Sequence, residues 1–173
     1  MSVSDLSSLV SSAAVLATLI FLLLQMRQTN RNQKAMMQQG RSARINSQIL
    51  MTTEPELAAV MTRAYLSDLS MEPVQIRAIN AFTQAFFWSH EDSFLQHQSG
   101  LLDQASWEID LATLRTALTM PAFRVGWKMA RAQSGGPYRD FIDLQMREVK
   151  ARKSFDEAGI WKHWMEKELA EAA

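Results

Sequence analysis

The chain has 173 residues, 18 Lys and Arg against 18 Asp and Glu, no cysteine and 47% hydrophobic residues. With Gly and Pro scarce, this is far from the low-hydrophobicity, high-charge signature of disorder, and it leaves room for one modest folded domain. Lack of cysteine excludes disulfides and thiolate metal sites and agrees with a reducing compartment. The zero formal net charge argues against nucleic acid as a partner, because a phosphate-binding face would dominate the domain's charge.

From Leu6 to Leu24 no residue is charged, and these nineteen positions cover about 28 Å as a helix, close to the ~30 Å of bilayer hydrocarbon. Arg27, Arg31, Lys34, Arg41 and Arg44 follow, and no acidic residue recurs until Glu54. A cleavable signal peptide would place positive charge before the apolar run and a small-residue cleavage site after it. This chain opens Met-Ser-Val-Ser-Asp and leaves the run through Gln25-Met26-Arg27. A buried soluble helix or an interfacial helix would show a polar or charged face, and the run has none. The expectation is a transmembrane anchor over residues 1–26 in the cytoplasmic (inner) membrane. Positive flanks stay inside, so the amino terminus is expected outside and residues 27–173 in the cytoplasm. Ser7 with Ser11, Ser8 with Ser12, Ala13 with Ala17 and Ala14 with Thr18 are small-residue pairs that let a second helix approach in lipid.

Residues 27–52 are rich in Gln, Asn, Arg and Met, with Gly40 the lone breaker, and predict a polar, basic helical stalk continuing the anchor. Met26, Met36, Met37, Ile45 and Ile49 hold no steady heptad, so a coiled coil is not demanded. Arg27, Arg31 and Lys34 are candidate contacts for lipid headgroups or a partner.

Residues 53–153 read as an all-helical domain. Thr53-Glu54-Pro55-Glu56 predicts a capping box and a helix to about Leu66, and Ser70 before Met71-Glu72-Pro73 predicts a longer one to Ser99-Gly100. Gly100 suits the left-handed closing residue, with Leu101 folding back on Leu95. Asp103 caps a helix to about Leu118, Thr119 with Pro121 starts another to about Gln133, and Gly135-Gly136-Pro137 restarts the chain into one reaching about Lys153. Trp107, Leu111, Leu114 and Leu118 form one apolar stripe, and Phe123, Trp127 and Ala130 another. The 71–99 helix, with Ala78, Ile79, Ala81, Phe82, Ala85, Phe86, Phe87 and Trp88, reads as apolar all round and therefore central.

The densest polar cluster follows that run: His90, Glu91 and Asp92, with His97 seven residues on. Single-helix metal sites need i, i+3 or i, i+4 spacing, which these residues lack, so Asp92 is expected as a partly buried carboxylate paired with Arg115, Arg124 or Arg131. Candidate members of a buried polar cluster are His90, Glu91, Asp92, Arg115 and Arg124. Arg124, Lys128 and Arg131 also form a basic row that a lipid phosphate or an acidic partner would suit. The last segment, 154–173, is an amphipathic helix setting Trp161, Trp164, Met165 and Leu169 against Lys162, Glu166, Lys167 and Glu171. Its expected place is docked on its own domain, with a partner groove or the membrane interface as alternatives.

An amino-terminal anchor, a polar stalk, then Ser89-His90-Glu91-Asp92, Gly100-Leu101-Leu102, Trp107, Pro121, Arg124, Trp127 and Phe141-Ile142-Asp143 together resemble a widespread group of uncharacterised bacterial membrane-anchored helical proteins. That resemblance implies a bacterial inner-membrane protein with an all-helical cytosolic domain and carries no activity, catalytic residue, metal or cofactor. The fold class expected is all-α: one transmembrane helix, a helical stalk and a compact bundle of about five helices. The function expected is a non-enzymatic, membrane-tethered interaction protein, a regulatory or accessory subunit that contacts membrane lipid and holds a protein partner or copies of itself. The alternative is a small membrane-bound metal-dependent hydrolase using His90, Glu91, Asp92 and His97, with Asp143 as a further carboxylate.

Overall fold

The computed structural model describes residues 3–172, and every regular element among them is helical, with no strand. The all-α expectation therefore holds. In chain order the helices are α1 (Val3–Met51), α2 (Pro55–Tyr65), α3 (Pro73–Gln98), α4 (Gln104–Leu118), α5 (Pro121–Ala130, extended by a 3-10 turn over Arg131–Gln133), α6 (Gly136–Glu148) and α7 (Glu157–Glu171). Two compact units are defined, Met1–Ala43 and Arg44–Ala173, and α1 passes through the boundary without a break.

Within the first unit, the eight large apolar side chains from Val15 to Leu24 are each 48–60% exposed, so no side of the helix is covered by protein. Its hydroxyls turn back on the helix: Ser12 Oγ donates to the Ser8 carbonyl and Thr18 Oγ1 to the Ala14 carbonyl, both at 2.9 Å. A segment solvated by hydrocarbon has to satisfy its polar groups internally in this way. Among the described residues one helix, near the amino terminus, is long and apolar enough to cross a membrane.

The second unit opens with the end of α1. Thr52 and Thr53 donate their hydroxyls back to the Ile49 and Leu50 carbonyls at 2.7 Å, using the open acceptors of the last turn. Thr53 therefore does not cap α2 as its sequence suggested; extended Glu54 and Pro55 start that helix instead. Likewise the capping box of α3 is made by Glu72 and Gln75, while Ser70 bonds Asp68. Gly100 does adopt the left-handed conformation, with φ +71°, and the N–H groups of Leu101 and Leu102 both donate to the Gln96 carbonyl. Leu102 enters the core there, not Leu101. Asp103 caps α4 by accepting the Ser106 N–H at 2.8 Å, as expected. The sixth helix stops at Glu148, short of the predicted Lys153, because Val149 turns extended and the chain then bonds distant backbone: Arg152 N–H to the Thr119 carbonyl and Phe155 N–H to the Tyr65 carbonyl, each at 2.8 Å.

The third helix is the hub, packing on α2, α4 and α5. It is not apolar all round in use: Ile79, Thr83, Phe87, His90, Ser93 and Phe94 are buried, whereas Ala81, Ala85, Trp88 and Leu95 are exposed on its outer side. Along that outer side Gln48 donates to the Ala85 carbonyl at 3.2 Å and Arg44 pairs with Asp92. The inner side meets the two predicted stripes, with Trp107, Leu114 and Leu118 from α4 and Phe123, Trp127 and Ala130 from α5 all buried. Tyr138 and Ile142 of α6 close the same cluster.

Gly126 sets the distance between α3 and α5. A Cβ built there would lie 2.1 Å from Thr83 Oγ1 and 2.6 Å from Thr83 Cβ, and Thr83 is itself fully buried and stiff at χ1. Gly126→Ala therefore forces the helices apart and is expected to destabilise the domain by about 1–3 kcal/mol. A chemical denaturation curve of the solubilised full-length chain measures this, and adding Thr83→Ala is expected to recover part of the loss. An unchanged midpoint for Gly126→Ala would contradict the close approach.

Candidate functional site

Three neighbouring residues of α3 point to three different places. His90, on the inner face, is buried among the rings of Trp107, Tyr138 and Phe141 at centroid distances of 5.4, 5.8 and 6.4 Å. Its Nδ1 lies 3.2 Å from the Tyr138 hydroxyl, which in turn donates to the Phe87 carbonyl at 3.1 Å. With the hydroxyl proton directed to a carbonyl that only accepts, the His90 Nδ1–H is the donor to the Tyr138 oxygen. Glu91 accepts the N–H of Gly135 at 2.8 Å, placing its carboxylate at the amino-terminal end of α6, where the helix dipole favours negative charge. Asp92 pairs with Arg44 at 2.5 Å and accepts from Gln96 at 2.9 Å; both members of the ion pair are over 40% exposed, so its contribution is small.

The arginines proposed for Asp92 are engaged elsewhere. Arg115 donates to the buried Gln145 at 2.7 Å and lies 3.6 Å from Glu148. Arg124 extends its guanidinium to three carbonyls, those of Leu118 and Val149 at 3.2 Å and of Met146 at 2.9 Å. It thus closes the carboxyl-terminal end of α6, where a cation opposes the dipole, and ties it to the end of α4. Arg131 pairs with Asp143, whose second oxygen accepts the indole N–H of buried Trp127 at 2.8 Å. The hydrogen bond from Arg131 holds the Asp143 carboxyl below the usual carboxylate range, and that from Trp127 adds to it. Of the basic row, Lys128 is exposed, while Arg124 and Arg131 are bonded internally. Sequence spacing gave no indication of these assignments, because each partner lies on another helix.

His97 does not converge on His90. Its ring stacks on Trp107 at 4.9 Å and 6° interplanar angle, with Nδ1 3.5 Å from the Leu102 carbonyl. Among the described residues no group of three or more His, Asp or Glu side chains is arranged to hold a metal ion. The four residues of the hydrolase alternative are thus spread over a buried aromatic box, a helix terminus, a surface ion pair and a ring stack. Two groups with structural weight, Tyr138 and Gln145, escaped the sequence reading, since neither sits in a local motif.

Other candidate contacts are exposed. Arg27, Arg31 and Lys34 lie on the exposed surface of the first unit. The last helix contradicts the expected self-docking: α7 has no buried residue, and Trp161 and Trp164 are 61% and 54% exposed. The polar residues of α3 to α6 thus define a helical scaffold fastened by side-chain bonds. Comparison with family models, curated proteins and solved structures finds no match for this chain.

Tyr65 and Tyr138, the chain's two tyrosines, report on this core. Burial, aided by the charge of Glu157, pushes Tyr65 up to about 12, and burial, aided by Glu91, pushes Tyr138 far above the usual range. Because the fold favours the neutral phenols, their contribution to stability is full below pH ~10 and is lost as the pH rises through about 12. In a spectrophotometric titration, no tyrosinate is expected near pH 10 while the helices are intact; a tyrosine ionising there without loss of helical signal would contradict this burial.

Proposed function

We propose that this is a single-pass membrane-tethered interaction protein, a regulatory or accessory subunit without catalytic activity. The observation that carries the reading is the uncharged apolar stretch ending at Leu24, whose large side chains from Val15 onward have no protein cover, followed by a flank of five Lys and Arg without an acid. On the positive-inside rule the amino terminus lies outside and residues 27–173 lie in the cytoplasm, with Arg27, Arg31 and Lys34 near anionic headgroups. The resemblance to bacterial inner-membrane anchored helical proteins supports the same placement.

The second unit is read as the part that engages a partner. The polar side chains of its core are committed to bonds that hold helices together, so its free features are faces: the exposed Trp88 and Leu95 of α3, and α7. Recognition by such faces rests on apolar anchors with charged surrounds. The test is crosslinking of the full-length chain in intact membranes, with adducts identified by mass spectrometry. The expected result is recurrent protein adducts on α3 or α7. Substrate turnover by the purified chain that Asp92→Asn abolishes would overturn the reading.

A further inference from the structure

We infer that α7 of one chain docks on a second copy, on the surface where the 149–155 segment crosses the end of α2, and that the exchange is reciprocal. This rests on the reading above and names the partner. Its starting point is that Ile160, Trp161, Trp164, Met165 and Leu169 are 40–64% exposed and α7 buries nothing against its own chain. At about 100° per residue these five occupy one half of the helix, with Glu157 and Glu168 among them; Glu171 also falls there and not opposite, as its sequence suggested, but it is paired with Lys167 of the same helix at 3.9 Å. Lipid is a poor cover for that face, since the carboxylates of Glu157 and Glu168 would be desolvated beside an anionic headgroup layer. The complementary cover is apolar and cationic.

Such a surface exists at the root of α7. Phe155 N–H donates to the Tyr65 carbonyl, and Ser67 Oγ donates to the Lys153 carbonyl, both at 2.8 Å, so the linker lies against the end of α2. Lys150, Arg152 and Lys153 are exposed on it, with no acidic residue between Glu148 and Asp156. Beside them Leu66 is 51% and Leu69 fully exposed. Leu69 is held out by a rigid turn: Arg63 bonds Asp68 at 2.7 Å and Ser70 at 3.1 Å, and Asp68 accepts the Ser70 N–H at 2.8 Å. A pre-ordered apolar anchor loses little entropy on docking.

The chain's own α7 begins two residues after Phe155 and leaves the surface open, so the occupant comes from another copy. One fifteen-residue helix covers little of the ~1,000 Å² that a specific interface needs, and a two-fold exchange doubles it. Because α7 grows out of the very surface it would occupy, two copies close on each other without propagating further.

The chain has no cysteine, so introduced thiols are unambiguous. Full-length copies with different tags, one carrying Leu69→Cys and the other Trp164→Cys, are co-expressed and oxidised in their native membranes. A disulfide-linked species bearing both tags is expected, and none when Ile109→Cys on the exposed face of α4 replaces Leu69→Cys. Lys150→Glu, Arg152→Glu and Lys153→Glu together should cut its yield about tenfold, and Glu168→Lys with Glu171→Lys on the other copy should restore it. Failure of the doubly tagged species to form although both thiols react with a maleimide, or linkage within one chain carrying both cysteines, overturns the exchange. The same samples are pelleted with membranes: chains that pellet without linking refute the exchange alone, whereas chains left in the supernatant also remove the tethered reading.

Discussion

The second unit depends on how closely α3 and α5 approach. Gly126 has no side chain to hold off Thr83, so the helices come near enough for Phe87 and Trp127 to meet at 5.1 Å and for Trp127 to meet Tyr138 edge-on at 5.8 Å. Around that contact Phe94, Trp107 and Phe141 extend the aromatic packing toward α4 and α6. Aromatic pairs at these separations add about 0.5–1.5 kcal/mol each beyond area burial, which makes the spacing a shared requirement of four helices.

Polar side chains act as fasteners on this frame. Arg124 closes the end of α6, Glu91 sits at its start, and Asp143 joins Arg131 to the indole of Trp127. The Trp127 indole is the buried member of these bonds, and leaving its N–H without the Asp143 acceptor would cost about 1–3 kcal/mol. His90 belongs to the same frame: a histidine beside two acids in sequence becomes, in space, a member of an aromatic box.

Features whose cause is local were legible in the sequence. Gly100 closes α3, Asp103 caps α4, Pro121 and Gly136-Pro137 start α5 and α6, and the apolar stripes of α4 and α5 are buried as their spacing demanded. Features that depend on distant partners were not. The end of α6 is set by Arg124 and by backbone bonds to Thr119 and Tyr65, none of which leaves a mark near residue 149. Asp92 finds Arg44, on a helix that begins near the amino terminus, and the arginines at hand bond elsewhere. Thr53 served the helix before it instead of the one after, a choice its sequence context does not reveal. Amphipathicity identified α7 but could not say what covers it.

Everything about location follows from the solvent of the first unit. Eight large side chains from Val15 to Leu24 stay about half exposed, and covering them with hydrocarbon is worth on the order of 10 kcal/mol, more than the flanking charges contribute. The most direct measurement is alkaline carbonate extraction of membranes containing the full-length chain, beside a variant with Leu19→Arg and Leu22→Arg. The chain is expected to stay in the pellet and the variant to be released. Release of the unaltered chain would contradict a lipid-solvated anchor.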